Sequence, residues 1–240
     1  MLRLTFVVII SIPYIIMLYA KTAYYDKHPD RFSEEGRYRY ARLTCKRIQR
    51  NGNIRTKIWG KENLPKEGGY VMYPNHQGKY DAVGIVIGHE KPCTIVMDEV
   101  RSHLPIMSPF LKLIKGRTLD KSDVRSQAKT IKAIVEEVKE GRRYIIFPEG
   151  GYDHNGNKVQ HFHSGAFKCS VRSKTPIVPV ALVDSYKPFE INSLKKVITQ
   201  VHFLEPILYE EYKDMTTEEI ANMVRKRIID VVEYQVEGVA

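Results

Sequence analysis

From Ile54 onward the chain reads as short apolar runs separated by longer stretches of helical periodicity. "GYVMYPN", "CTIVMD", "RYIIFPEG" and "TPIVPVALVD" are compact and little interrupted by polar residues, as strands covered on both faces must be. "IRTKIWG" alternates instead. The clearest helical stretch is residues 122–140, where Val124, Ala128, Ile131, Val135 and Val138 recur at three and four spacing and Gly141 stands in the C-cap position. A last helix is expected from a capping box, Thr216 to Glu219, through Ile220, Val224, Ile228 and Val231. Such alternation predicts an α/β fold, a mixed, largely parallel central sheet flanked by helices. No internal repeat or low-complexity segment is present. A length of 240 residues suits one domain with a substantial core, plus an appendage.

The appendage is the start of the chain. Leu4 to Ala20 is 17 residues without a charge, at the lower limit for crossing a bilayer. A cleaved signal peptide would need a small-x-small site, and Lys21 stands two before Ala23, so a retained anchor is expected. Pro13 in mid-segment suits a helix that dips into one leaflet as well as one that spans. Ser33 can cap a second helix with Glu34 and Glu35 in its first turn, running to about Gly52. Arg39, Arg42, Lys46 and Arg50 fall on one side of it, with Tyr38, Ala41, Cys45 and Ile48 roughly opposite; Leu43 lands among the basic residues. A basic amphipathic helix after an apolar one suits attachment to a lipid surface; the alternative is a helix docked on the domain with its arginines in water. The expected division is therefore an N-terminal two-helix membrane-binding appendage, residues 1–52, and a domain over 53–240.

Between Lys21 and Pro65 twelve Lys and Arg face five Asp and Glu, so this stretch holds +7 of the net +10. By the positive-inside bias, the following domain is expected on the cytoplasmic side of a membrane, against anionic headgroups. Nucleic acid is the other usual partner of a basic chain, but here the charge gathers beside the apolar segment, so no nucleic-acid partner is expected. Cys45, Cys93 and Cys169 are odd in number and widely spaced, which indicates neither a disulfide framework nor a zinc finger.

Two loops follow apolar strands in places where α/β sheets gather ligand sites. The first, "YPNHQGKYDAVG", carries Asn75 and His76 in a turn and Asp81 at the start of a helix. Across such a loop Asp81 can fold back onto the imidazole, fix its tautomer and stabilise the imidazolium that forms when the other nitrogen takes a proton. That is a general base for activating a hydroxyl; a bare His-x4-Asp, taken alone, reads far more readily as a surface histidine in a turn. The second loop, "IIFPEGGYDHNG", ends a strand with Phe147, Pro148, Glu149, Gly150 and Gly151. Its glycines allow unusual backbone angles and close approach of a ligand, and Glu149 offers a carboxylate at the sheet edge.

Together and in this order the residues resemble the glycerolipid acyltransferase family. Asn75, His76 and Asp81 match its Asn-His-x4-Asp motif, and Phe147, Pro148, Glu149 and Gly150 its Phe-Pro-Glu-Gly motif. Residues 110–131, "FLKLIKGRTLDKSDVRSQAKTI", resemble the second motif, and Ile177, Val178, Pro179 and Val180 the fourth. The resemblance implies a membrane-bound O-acyltransferase over residues 53–240. It would move a fatty acyl group from acyl-CoA or acyl-acyl carrier protein to the hydroxyl of a lysophospholipid, with phosphatidic acid as the expected product. It implies His76 as the base with Asp81 holding it, and Asn75, Phe147, Pro148, Glu149 and Gly150 in the substrate site. Lys121 and Arg117 are then candidates for the acceptor's phosphate. Neither a cofactor nor a metal is implied; the thioester is a co-substrate.

The chain departs from the motifs at three places. Lys121 stands where arginine is usual, which replaces a two-pronged contact by a point charge. Gly151 and Tyr152 replace a Thr-Arg pair, and Met97 and Asp98 stand where many relatives carry a lysine. His154, His161 and His163 stand close in sequence; His161 and His163 alternate as if on one strand face and, with Glu149 or Asp153, could be drawn as a metal site, but the motifs already explain the neighbourhood, and a polar loop near the acceptor or simple exposure to solvent is expected instead. Another lysophospholipid or glycerol 3-phosphate as acceptor stays open at this point. So do two other classes, a metal-dependent hydrolase and a non-catalytic protein of the membrane surface.

Overall fold

The structure, a computed structural model, describes residues 2–237. Seven strands, β1 (Ile54–Trp59), β2 (Tyr70–Pro74), β3 (Thr94–Asp98), β4 (Arg117–Leu119), β5 (Arg143–Ile145), β6 (Ile177–Val183) and β7 (Val197–Phe203), form one sheet in the order β1-β7-β6-β2-β5-β3-β4. Every pairing is parallel except β6 with β7. The sheet is thus mixed and largely parallel, as the sequence predicts. β2 and β6 lie in its middle and are buried at every position, which is why both are continuous apolar runs.

The helices are α1 (Leu2–Lys27), α2 (Glu34–Asn51), α3 (Asp81–Gly88), α4 (Glu99–Ser102), α5 (Met107–Leu113), α6 (Val124–Lys139), α7 (Lys168–Ser173), α8 (Lys187–Glu190), α9 (Tyr209–Tyr212) and α10 (Thr217–Glu237). They cover both faces of the sheet. On one face Tyr70, Met72, Ile145, Val178 and Leu182 pack with α2, α3 and α5; on the other Val71, Tyr73, Tyr144, Ile177 and Ala181 pack with α6 and α10.

Ser33 caps α2 by accepting from the Gly36 amide, and Thr216 and Glu219 form the expected box at α10. In α10 the buried residue one turn after Ile228 is Val232, with Val231 only partly covered. In α6 the buried set is Ile134, Val135 and Val138, while Val124 is exposed. His161 and His163 lie on no strand: residues 157–163 are irregular and bury Val159 and Phe162 instead.

α1 is a single 26-residue helix that continues through Pro13 and is long and apolar enough to cross a membrane. It nonetheless lies along the domain. Arg3 is fully buried and donates to the carbonyls of Pro188 (2.9 Å) and Lys195 (2.5 Å), and the Tyr19 hydroxyl donates to Pro105 O at 2.5 Å. Val7, Leu18 and Tyr25 face inward; Phe6, Ile9, Ile10, Ile12, Ile16 and Met17 face outward. α2 enters the main core through Tyr38, Ala41 and Cys45, and its Tyr38 hydroxyl bonds His89 O at 3.0 Å. Arg42, on the basic side, is tied to the Ile87 carbonyl, whereas Arg39, Lys46 and Arg50 are exposed. Residue 52 therefore marks a change of sequence character, with one continuous core on either side of it.

Candidate active site

The two motif loops leave neighbouring strands, β2 and β5, at the same end of the sheet. β2 stops at Pro74, and Asn75 then behaves as one more rung: its amide donates to Leu182 O (3.0 Å) and accepts from Leu182 N (2.7 Å). With 1% of its surface exposed, Asn75 is a positioning residue that ties the loop to β6. Gln77 repeats the device. It donates to Leu182 O and to Asn157, and accepts from Ser185 N, while Asn157 in turn brackets Asp184. Sequence reasoning missed Gln77 and Asn157, since a single buried amide has no pattern to find.

Between these anchors the loop turns His76 and Asp81 together. His76 Nδ1 lies 2.7 Å from Asp81 Oδ2, which also accepts from the backbone amides of Gln77 (2.6 Å) and Gly78 (2.9 Å). Two backbone amides fix that oxygen as an acceptor, so Nδ1 donates to it and Nε2 is left without a hydrogen-bond partner among the described residues. Asp81 is 1% exposed and sits in the first turn of α3, where its charge meets the positive end of the helix. The imidazole touches two rings, stacked on Phe147 at 4.2 Å and in a T-shaped contact with Tyr152 at 4.8 Å.

Glu149 supports the same turn from β5. Its Oε1 accepts from the His76 amide at 3.1 Å, and its Oε2 is buried with no partner. Burial pushes this carboxyl up to about 8, against the hydrogen bonds from the His76 and Gln160 amides, so it carries a proton at neutral pH. Pro148 is buried and its carbonyl accepts from His163 N at 2.8 Å. Gly150 has φ +70°, and a Cβ there would press on the His163 ring. The amides of His76, Gln77 and Gly78 are all engaged by Glu149 and Asp81, so none of them is available to an oxyanion.

Lys121 and Arg117 separate. Lys121 Nζ reaches Gly150 O at 2.6 Å and Asp98 Oδ2 at 3.4 Å. Arg117 is turned to α6, where Glu137 holds it, and lines a cleft with Glu34, Lys115 and Arg142 that none of His76, Asp81 and Glu149 lines. The geometry places Lys121 with the motif loops and Arg117 away from them. Among the described residues no three His, Cys, Asp or Glu side chains gather as a metal-binding group; His154 pairs with Glu190, and the His161 and His163 rings meet edge to face. All three cysteines are buried, and burial raises the Cys93 and Cys169 thiols to about 12, so neither is a thiolate at neutral pH.

A family model described as Acyltransferase matches residues 55–183, more than half of the chain. The chain is similar to the 1-acyl-sn-glycerol-3-phosphate acyltransferase of Saccharomyces cerevisiae, 29% identical over 181 residues that cover 72% of this chain and 58% of the yeast protein. It is 28% identical over 200 residues to the 1-acyl-sn-glycerol-3-phosphate acyltransferase alpha of Ovis aries, covering 79% of this chain and 67% of the sheep protein. The crystal structure of the 1-acyl-sn-glycerophosphate acyltransferase of Thermotoga maritima has the same fold, with TM-score 0.80, 20% identity and coverage of 98% of this chain and 94% of that one. The matched span runs from β1 to the end of β6 and contains both loops of the candidate site, and the chain belongs to the acyltransferase family.

Proposed function

We propose that this chain transfers a fatty acyl group from a thioester, acyl-CoA or acyl-acyl carrier protein, to the free hydroxyl of 1-acyl-sn-glycerol-3-phosphate, giving phosphatidic acid. The observation that carries the reading is the His76–Asp81 pair, an imidazole whose inner nitrogen is fixed by a buried carboxylate and whose outer nitrogen has no partner among the described residues. The names of the relatives supply the acceptor.

In the reaction His76 Nε2 takes the proton from the acceptor hydroxyl as its oxygen attacks the thioester carbonyl. The positive charge that develops on the imidazole is stabilised by Asp81. Collapse of the tetrahedral intermediate forms the ester, breaks the carbon–sulfur bond and returns the proton from His76 to the departing thiolate. Transfer is direct, since no thiolate or free serine stands in the loops. Glu149, neutral and bonded to the His76 amide, holds the turn without placing a second negative charge beside Asp81.

The acceptor and product are membrane lipids, and the chain meets them with the outward apolar face of α1 and the exposed Arg39, Lys46 and Arg50 of α2, two signals that together give stable attachment. This reading puts the domain on the cytoplasmic side, by the clustered positive charge. The test is transfer of a radiolabelled acyl group with both thioester carriers and a panel of lysophospholipids, glycerol 3-phosphate included. Transfer to 1-acyl-sn-glycerol-3-phosphate that is lost in His76→Ala is the expected result; equal transfer by that variant, or none by the wild type, overturns the proposal.

A further inference from the structure

The acceptor's phosphate needs a cation near His76, and most of the nearby cations are already engaged. Lys121 is bonded to Gly150 O and partly neutralised by Asp98. Lys187 pairs with Asp184, and Arg225 donates to the carbonyls of Val159 and Gln160.

Arg101 is different. It is carried on α4, the short turn after β3, and that turn starts at Asp98, whose Oδ1 accepts from the amides of Val100 (3.0 Å) and Arg101 (3.4 Å). One carboxylate thus neutralises Lys121 and sets the turn that presents Arg101. The Arg101 guanidinium lies over the Tyr152 ring, 5.3 Å from its centroid, and that ring meets His76 in a T-shaped contact. Among the described residues it meets no carboxylate and its side chain donates no hydrogen bond. A guanidinium stacked on an aromatic face keeps its edge N–H groups directed outward, free for a planar or forked acceptor.

We propose that Arg101, held in place by Tyr152, takes the acceptor's phosphate and makes the site select a phosphate-bearing lysolipid. The proposal rests on His76 acting on the acceptor hydroxyl. The distances agree: Cζ of Arg101 lies within about 10 Å of the His76 ring, the most that the two ring contacts allow. A glycerol hydroxyl and the oxygens of a phosphate two carbons away, each with a hydrogen bond of about 2.8 Å, bridge a gap of that order, so one acceptor can reach both groups. Lys121 then acts on the Gly150 loop, and its substitution changes the shape of the site before it changes phosphate binding.

The experiment compares Arg101→Gln, Arg101→Lys and Lys121→Gln with the wild-type chain on two acceptors, 1-oleoyl-sn-glycerol-3-phosphate and 1-oleoylglycerol, which has the same hydroxyl and no phosphate. Arg101→Gln should raise KM for the phosphorylated acceptor about 10- to 100-fold with kcat within about threefold, because a phosphate remote from the reacting bond is held alike in ground and transition states. Kinetics on 1-oleoylglycerol should not shift, and Arg101→Lys should recover part of the loss. Unchanged KM in Arg101→Gln, an equal rise on both acceptors, or a larger rise in Lys121→Gln overturns the proposal.

Isothermal titration with glycerol 3-phosphate gives a readout that does not depend on turnover. Binding by the wild-type chain that is lost in Arg101→Gln supports Arg101 even if acyl transfer is absent, and binding that is absent in the wild type or unchanged in the variant overturns it. Failure of the acyl-transfer reading shows instead as a wild-type chain that acylates neither acceptor.

Discussion

Asp81→Asn tests the pair at its hinge. One oxygen of Asp81 accepts three hydrogen bonds, from His76 Nδ1, Gln77 N and Gly78 N, and its other oxygen is buried without a partner. Asparagine keeps the shape but supplies a neutral oxygen on one side and an NH2 group on the other. Charge-assisted bonds contribute about 1.5–3 kcal/mol and neutral ones about 1 kcal/mol, so three conversions lower stability by roughly 1.5–6 kcal/mol. If the amide turns the other way, its NH2 faces three donors and the loop opens. Stability is the smaller part of the effect. Without the carboxylate the imidazolium formed during transfer loses its counter-charge, and a loss of about 10⁴-fold in kcat is expected, as for other His–Asp pairs acting on a hydroxyl. Acceptor binding does not require that charge, so kcat and kcat/KM should fall together. The assay is steady-state transfer of a labelled acyl group, run well below the melting temperature of the variant as read by circular dichroism. A folded Asp81→Asn with kcat within about tenfold of wild type would refute the assignment of His76 as a base supported by Asp81.

Other outcomes follow from the same geometry. His76→Ala removes the base while leaving the Glu149 contact to the backbone amide, so transfer should fall about 10²- to 10⁴-fold with an unaltered melting curve. Glu149 is protonated in the fold up to about pH 8 but only to about pH 4.5 when unfolded. The folded state therefore holds the extra proton between these values, and stability falls by a few kcal/mol as pH rises through that window, about 1.4 kcal/mol for each tenfold difference in proton affinity between the two states. Glu149→Gln should remove that slope, which melting curves from pH 5 to pH 9 will read. Ile9, Ile12 and Ile16 replaced together by asparagine should weaken binding to phospholipid vesicles by at least a hundredfold, since each exposed isoleucine that enters lipid contributes about 2 kcal/mol; unchanged flotation removes α1 from the attachment.

The strands that bear the motifs were legible because a parallel strand covered on both faces has to be apolar throughout, as β2 and β6 are. β7 escaped, because Thr199, Gln200 and His202 interrupt it and it is the antiparallel partner of β6 beside the edge strand β1. The alternation of His161 and His163 suggested a strand, yet the buried positions there are Val159 and Phe162, three apart, in a segment without a ladder. The closeness of His76 to Asp81 was legible from residue order and the turn between them. The separation of Arg117 from Lys121 was not: they are four apart in sequence, and only the pairing of Arg117 with Glu137 on α6 sends it elsewhere. Two departures from the family motifs, Asp98 and Tyr152, looked unrelated in the sequence. In the fold both act on Arg101, one starting its turn and the other lying under its guanidinium.

The mode of attachment is constrained further by how α1 is held. A helix of its length and composition could span a bilayer if it were free, but Arg3 at one end is buried on carbonyls of the α8 region and Tyr19 near the other bonds Pro105 O. Spanning would have to break the contacts of Arg3 and Tyr19 that hold the two ends of the helix against the domain. Leu18 and Tyr25 on α1 and Tyr38, Ala41 and Cys45 on α2 belong to the main core, so removing residues 1–52 opens that core and cannot report on membrane binding alone. Exposed apolar residues also stand on the segments that clamp α1, Ile191 and Leu194 beside the Arg3 contacts and Val100 and Leu104 beside Pro105. On the attachment reading, all of these lie at the lipid boundary together. Val100 neighbours Arg101, so the turn proposed to take the phosphate would sit at the depth of lipid headgroups, where a lysolipid presents its phosphate and its free hydroxyl while its acyl chain stays in the bilayer.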